Sequence, residues 1–343
     1  MQRENIIGRA NVEDTPELEA YYRSLEGEAL GALWTVANEI EPWYPQPKSV
    51  PTLWKWKRIE PLVRRAPELV SAEKAARRVV MLVNPGRKEW SAAAGLLYTG
   101  VQIMNPGEFT SAHRHQASAL RFIMEGRGAY TVVEGERMTL GARDLVLTPN
   151  GTWHDHGVDA GGTQCVWQDG LDIPLMNSLD ANFYEVHPQT VQKPGKPLER
   201  KGWNRPYSPV FRYSWDESYE ELRNSSNHSP YDGVVHEYTN PVTGGPVMPT
   251  IGAQLQRLRP GEATRAHRHT GSAIYQVAKG RGASVIDGQR FDWEEKDIFC
   301  LPSWAVHSHA NASATEDAVL FSFNDFPAMR ALALYREEPL AER

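Results

Sequence analysis

Short runs in which apolar and polar residues alternate with period two mark the chain in two places. Tyr130-Thr-Val-Val and Leu145-Val-Leu-Thr belong to the first, Ser284-Val-Ile-Asp to the second. Turn signals punctuate them at Pro106-Gly107, Gly126-Arg-Gly128, Pro260-Gly261 and Asp287-Gly288. Successive side chains of a strand point to opposite faces, so short alternating runs between Gly-rich turns predict an antiparallel sandwich or barrel. Ahead of these runs, Thr15 followed by Pro16 is an N-cap and first-turn pair that opens a helical stretch through about Glu39. Ala72 to Arg78 reads as a second short helix. The segment 171–250, rich in Pro, Asn, Ser and Gly with some Trp and Tyr, reads as a link that packs on the strand-rich parts.

The two strand-rich parts repeat one another. Ala112-His-Arg-His-Gln-Ala-Ser-Ala119 matches Ala266-His-Arg-His-Thr-Gly-Ser-Ala273, and Gly126-Arg-Gly128 matches Gly280-Arg-Gly282, all at an offset of 154. One deletion later the offset is 153, where Asp144, Pro149, His154 and His156 fall on Asp297, Pro302, His307 and His309. Matches at fixed positions over roughly 45 residues imply duplication of one structural unit. A chain of 343 residues is also long enough for two domains.

Composition narrows the function. With 37 basic and 43 acidic residues the net charge is −6, which indicates no broad cationic face for nucleic acid. Met1 to Ala10 has no apolar targeting core, and no run of 18 or more apolar residues suggests a membrane span. Cys165 and Cys300 are too few for a disulfide scaffold and read as reduced, buried thiols of a cytoplasmic protein. The chain has 11 histidines, and those at 113, 115, 154, 156, 267, 269, 307 and 309 fall into the two repeated clusters. Residues two apart on a strand share a face, so His113 and His115 can grip one ion and His154 on a later strand can complete a facial set of three. Imidazole suits Fe, Zn, Cu and Ni rather than Mg or Ca.

The spacing resembles the cupin family. Gly107-(x5)-His113-x-His115 and Pro149-x-Gly151-(x2)-His154 fit its two motifs in the first repeat. Gly261-(x5)-His267-x-His269 and Pro302-(x4)-His307-(x3)-Asn311 fit them in the second. That resemblance implies an all-β bicupin of two antiparallel jelly-roll barrels with an N-terminal helical extension. Its expected parts are an N-terminal helical and extended segment packing on the barrels (1–80), a first, catalytic barrel (81–175), a linker (176–245) and a second barrel (246–335). Many cupins place a glutamate ligand about four residues past the second histidine, where this chain has Ala119 and Ala273. Three neutral ligands leave Fe(II) its full charge and open positions, an arrangement suited to an anionic bidentate substrate and O2.

A narrower resemblance lies in Leu97-Tyr-Thr-Gly-Val-Gln-Ile-Met-Asn-Pro-Gly-Glu108, in Ala112-His-Arg-His115 and in Ser118-Ala-Leu-Arg-Phe122. Pro51-Thr-Leu-Trp-Lys-Trp56, Arg77-Arg78, Asn84-Pro-Gly86 and Asp169-Gly-Leu-Asp-Ile-Pro174 extend it over most of the chain. These stretches resemble the gentisate 1,2-dioxygenase family, which includes salicylate and 1-hydroxy-2-naphthoate dioxygenases. The resemblance implies an Fe(II)-dependent homotetramer that cleaves a ring between the carbon bearing carboxylate and the carbon bearing hydroxyl, with O2 and a small aromatic hydroxy acid as its only partners. Carried over by position, it implies iron on His113, His115 and His154, the substrate carboxylate on Arg121, and His156 beside the phenolate or the bound oxygen as acid or base. Gln102 and Tyr98 would sit by the ring substituents, with Arg77 and Asp169 completing the polar lining. Gentisate is the expected substrate. Departures from the family pattern at Gln116-Ala117, Met104-Asn105 and Lys88-Glu-Trp-Ser91 can instead admit salicylate or a 5-substituted salicylate.

Read as residues alone, several positions keep a plainer alternative. Arg121 can be an outward salt-bridge residue, His156 a surface histidine, Tyr98 a core aromatic and Asp169 a turn residue before Gly170. Arg77, beside Arg78 on the expected helix, is the least anchored of the set. His267, His269 and His307 can hold a second metal, but Arg121 aligns with Tyr275 and Trp153 with Val306, so catalysis is expected in the first barrel. A cupin isomerase or hydrolase would call for a carboxylate ligand that Ala119 and Ala273 do not supply. A storage or sensor bicupin would leave the spaced histidines unexplained.

Overall fold

The computed structural model describes residues 15–75, 77–87, 92–195 and 199–340, so Lys88-Glu-Trp-Ser91 lies outside the described residues. The chain divides into two compact units, residues 1–46 and 47–343. In the first, Thr15 Oγ1 accepts the Leu18 N–H at 3.2 Å and so caps the helix Pro16–Gly27. The stretch expected to continue to Glu39 is broken, and a second helix, Leu33–Ile40, starts afresh. Gly27 and Gly31 bracket the break, where glycine raises the entropic cost of continuing a helix.

The second unit holds two antiparallel barrels, each made of a larger and a smaller sheet. In the first barrel the larger sheet runs in the order Arg212–Tyr213, Leu145–Thr148, Ala119–Glu125, Cys165–Leu171, Tyr98–Met104, Val79–Met81. The smaller runs Tyr184–Val186, His113–His115, His154–Val158, Ala129–Val133, Glu136–Leu140. The second barrel repeats both orders, with one further strand, His228–Ser229, at the end of its larger sheet and His267–His269 beside His307–Asn311 in its five-stranded sheet. Gly126, at φ 104°, and its counterpart Gly280, at φ 83°, make the same left-handed turn in each barrel. A Cβ at Gly126 would come within 2.7 Å of the Cys165 backbone, so both conformation and space require glycine there.

The strands at the centre of the larger sheets do not alternate. Every residue of Cys165–Leu171 and of Ala318–Asn324 is buried, because one core spans both barrels. Phe122 and Phe321 stack across it with centroids 4.0 Å apart. Truncating such a ring removes about 3–5 kcal/mol.

The strands leading into each barrel attach to the other one, while the helices that follow them pack on their own barrel. Strand Thr52–Trp54 and helix Trp56–Leu69 precede the first barrel in sequence, yet the strand pairs with Ile298–Leu301 of the second. Strand Arg212–Tyr213 and helix Trp215–Asn224 precede the second barrel, yet the strand pairs with Leu145–Thr148 of the first. Two matched aspartates lock the exchange. Asp297 accepts the Trp56 N–H at 2.7 Å, the Lys55 ammonium at 2.8 Å and the Glu294 N–H at 3.0 Å. Asp144 accepts the Trp215 N–H at 2.9 Å, Arg212 Nε at 2.8 Å and the Gly141 N–H at 2.8 Å. A carboxylate at a helix N-terminus meets unpaired N–H donors and the positive end of the helix dipole.

Two expectations change here. Only Ala72–Ala75 is helical, and Arg77-Arg78 leads into strand Val79–Met81. The β-branched Val79-Val80 pair favours the strand, and the buried Arg78 guanidinium is held there by Glu108. The segment 171–250 also does more than link, since Tyr184–Val186, Arg212–Tyr213, His228–Ser229 and Gly233–Glu237 are strands of the barrel sheets.

A second matched pair, Asp172 and Asp325, accepts the Ser118 N–H at 2.8 Å and the Ser272 N–H at 2.7 Å. Burial pushes each carboxyl up to about 6, from 3.8. A group whose folded pKa lies above its unfolded value binds more protons in the native state between the two values. Stability from this pair is therefore greatest below pH 4 and falls as pH rises towards 6, by about 1.4 kcal/mol per pKa unit for each group. Asp325→Asn should flatten thermal stability between pH 4.5 and 6.5 relative to the parent; an unchanged pH slope would show that Asp325 ionises normally.

Candidate metal centre and its pocket

Three buried imidazoles converge on two neighbouring strands of the first barrel's smaller sheet. His113 and His115 occupy alternate positions on one strand, and His113 and His154 are direct cross-strand partners. Ring centroids of His154 lie 4.4 Å from His113 and 4.8 Å from His115, and one nitrogen of each residue lies within 4.8 Å of the others. The outer ring nitrogens are all tied to backbone. Nδ1 of His113 donates to Ser111 O at 2.6 Å, that of His115 to Ala117 O at 2.7 Å, and that of His154 to Thr152 O at 3.0 Å. Those bonds fix the tautomer and aim Nε2 inward, as metal-ligating histidines require. Nε2 of His113 and of His154 is buried with no hydrogen-bond partner, an arrangement whose natural complement is a cation.

The rings are neutral, as ligation also demands. Burial, then the Arg77 charge, lowers His113 to about 3 and His115 to about 4. Burial with the neighbouring imidazoles holds His154 well below the usual range. The ligand cluster contains no carboxylate, and Ala119 lines the adjoining cavity.

That cavity, of about 720 Å³, collects most of the residues singled out from the sequence. Arg77, Tyr98, Gln102, His115, Arg121 and Asp169 line it together with Met81, Ile173 and Asn177. Strands Ala119–Glu125 and Cys165–Leu171 place Arg121 directly opposite Asp169, and Arg121 Nε lies 3.1 Å from Asp169 Oδ1. Both are buried, at 4% and 5% exposure, which excludes the outward salt bridge. Burial raises Asp169 to about 6, against the opposing pull of Arg121 and Arg77. Burial also raises the Tyr98 phenol, so it remains a hydroxyl donor at neutral pH. His156 is fully buried, with Nε2 3.2 Å from Gln102 Oε1 and Nδ1 3.3 Å from Thr110 Oγ1. Burial, then the Arg121 charge, keeps His156 neutral.

Among the residues where the sequence departs from its family pattern, Ala117 lines a neighbouring cavity of about 330 Å³ with Phe183 and Tyr184. Met104 and Asn105 sit at the far end of the Tyr98–Met104 strand and in the turn beyond it, where Asn105 bonds Glu108 and Gln164. Tyr184 was not singled out by sequence. It stacks on His113 at 5.3 Å and lies beneath Arg77 at 5.5 Å, so it shields the ligand strand from solvent. Its signal was a short Phe-Tyr-Glu-Val run inside a segment that otherwise reads as a link.

The described residues include no helix long and apolar enough to cross a membrane, and both cysteines are buried and free. The cupin domain family model matches residues 100–174 and 254–324. The chain is 37% identical to 5-aminosalicylate 1,2-dioxygenase of Comamonas sp, over 95% of this chain and 91% of that protein. It is 36% identical to gentisate 1,2 dioxygenase 1 of Aquipseudomonas alcaligenes, over 94% of this chain and 96% of that one. A crystal structure of salicylate 1,2-dioxygenase from Pseudoaminobacter salicylatoxidans in adducts with gentisate superposes with a TM-score of 0.90 at 33% identity. That superposition covers 97% of this chain and 96% of the other.

Proposed function

The chain belongs to the bicupin family of gentisate and salicylate 1,2-dioxygenases, and we propose that it cleaves gentisate to maleylpyruvate at an Fe(II) centre in its first barrel. It is a ring-cleaving dioxygenase of 2-hydroxybenzoates. The observation that carries the reading is the buried Arg121–Asp169 pair facing the same cavity as His115. A guanidinium in low dielectric is a fork for a carboxylate, and the metal-ligating face beside it fits the adjacent phenolic oxygen.

Fe(II) on the three neutral imidazoles would supply chelation of the carboxylate and phenolate and activation of O2. The surrounding residues do the rest. Arg121 orients the carboxylate, and Asp169 holds Arg121 so that one guanidinium edge stays free for the substrate. Gln102, braced by His156, meets the phenolate side of the ring. Neutral His156 donates its Nε2–H to Gln102 Oε1, and so acts on the phenolate through that amide rather than as a cationic acid. Tyr98 and Arg77 face the far side of the ring, where gentisate carries its second hydroxyl. O2 contributes both atoms to the product, so no external reductant takes part.

Tyr98 also favours a second reading, a 5-substituted salicylate such as 5-aminosalicylate, because a phenol can bond an amine as well as a hydroxyl. O2 consumption by the Fe(II)-loaded enzyme against gentisate, 5-aminosalicylate, salicylate and 1-hydroxy-2-naphthoate separates these. We expect gentisate to give the highest kcat/KM, and a faster turnover of unsubstituted salicylate would defeat the assignment. Tyr98→Phe should lower kcat/KM for gentisate by roughly tenfold, about one buried hydrogen bond, while leaving salicylate nearly unaffected. The same reading carries a homotetramer, to be tested by sedimentation equilibrium, and a cytoplasmic site, which the free thiols fit.

A further inference from the structure

The second barrel keeps a ligand set and loses the means to use it. His267, His269 and His307 each offer a nitrogen within 4.8 Å of the others, and their ring centroids lie 4.2, 5.0 and 5.7 Å apart, closely matching the first triad. All three are buried, at 5% exposure or less. Around them three substrate-handling positions have changed character, while Gln256 and His309 keep the residues found at Gln102 and His156. Tyr275 stands where Arg121 stands, Ser322 where Asp169 stands and Gly252 where Tyr98 stands. Tyr275 is buried and stacked on Phe299 at 4.8 Å. Phe326 replaces the cavity-lining Ile173 and turns its edge to His269 at 4.6 Å. Tyr231 covers His267 at 5.3 Å.

One anionic group has been added. Asp232, next to Tyr231, holds Oδ1 3.8 Å from His267 Nε2, while its Oδ2 accepts from Ser229 Oγ at 3.1 Å. The first triad has no carboxylate in its ligand cluster, so a cation there relies on the substrate for neutralisation. Here the protein supplies the charge itself. The outer hydrogen bonds are fewer: His307 Nδ1 bonds Ala305 O at 3.0 Å, but Nδ1 of His267 and of His269 is buried without a partner.

We propose that His267, His269 and His307, with Asp232 as the neighbouring anion, form a second divalent-metal site that does not turn over substrate. Three imidazoles suit Zn²⁺ as well as Fe²⁺, and the protein carboxylate beside them, outside the ligand cluster itself, supplies the counter-charge that a substrate brings to the first site. Lacking two of the three outer bonds, it binds roughly 10–100-fold more weakly than the first site.

The test is metal titration of the apo full-length chain with Zn²⁺ and Fe²⁺, read by elemental analysis after gel filtration and by calorimetry. Wild type should bind two equivalents per chain in two classes. His154→Ala should keep only the weaker class, and His307→Ala only the tighter. Asp232→Asn should weaken the second class alone. Ring-cleaving O2 uptake should saturate with the first Fe²⁺ equivalent. A single equivalent per chain at saturating metal, or no binding by His154→Ala, overturns the site. Activity that climbs with the second equivalent overturns its non-catalytic role. Because His154→Ala leaves the second barrel untouched, a folding failure of His307→Ala does not decide the matter.

Discussion

His154→Ala should emerge folded, without iron in its first barrel and without gentisate-dependent O2 uptake. Of the three ligands His154 alone stands on the second motif strand, and His113 is its direct cross-strand partner. Removing it leaves two imidazoles on one strand, which cannot fix a facial geometry. Altering a residue that merely supports a ligand lowers metal affinity by about 10–100-fold, and loss of the ligand itself should exceed that. The fold should survive, because the truncated ring gives up one backbone bond, to Thr152 O, worth about 1 kcal/mol. Circular dichroism and melting check the fold, first-site iron content the site, and oxygen electrode traces the chemistry. A folded variant that retained full uptake would remove the triad from the mechanism.

Arg121→Ala should reduce kcat/KM by roughly 10²–10³-fold, mainly through KM. Breaking a buried charge pair costs about 3–5 kcal/mol, and each 1.4 kcal/mol is a factor of ten. Part of that effect comes from Asp169. Its carboxyl already sits near pH 6 with the arginine alongside, and without that charge it moves higher, leaving the cavity neutral where the substrate carboxylate should dock. Arg121→Lys should recover the charge but not the planar fork, and so restore activity only in part. Tyr275 occupies the same position in the second barrel, which shows that the fold accepts a neutral residue there. Unchanged kinetics in a stable Arg121→Ala protein would take the residue out of the carboxylate role.

The duplication and the histidine triads were legible in sequence because each rests on local spacing. A His-x-His on a strand puts both rings on one face whatever surrounds it, and the matched third histidines supplied the rest. The barrel fold followed from turn glycines and alternation, yet alternation faded at Cys165–Leu171, where a second barrel covers the face that would otherwise meet water. Helix Trp56–Leu69 went unforeseen, and it carries Pro61 and Pro67 in its interior, residues that ordinarily interrupt a helix. The neighbourhood of Arg121 could be named from family likeness, but its pairing with Asp169 rests on strand register, which no local pattern encodes. Tyr184 was invisible for the opposite reason. Its strand is three residues long and derives its meaning from His113–His115 alongside it.

The crossed arms that Asp144 and Asp297 hold in place bear on where this chain came from. Asp297 and Lys55 are 242 positions apart, and Asp144 and Trp215 are 71 apart, yet each aspartate does the same work for a strand and helix that begin the opposite half. Two identical single-barrel polypeptides trading their leading arms would make every one of these contacts between subunits. Joining the tail of one to the head of the other would add a covalent tether and disturb nothing. The present molecule thus holds, within one chain, the arrangement that a strand-swapped homodimer would have. With the halves tethered, each needs to serve only one role, and they differ accordingly, Arg121 in one standing where Tyr275 stands in the other.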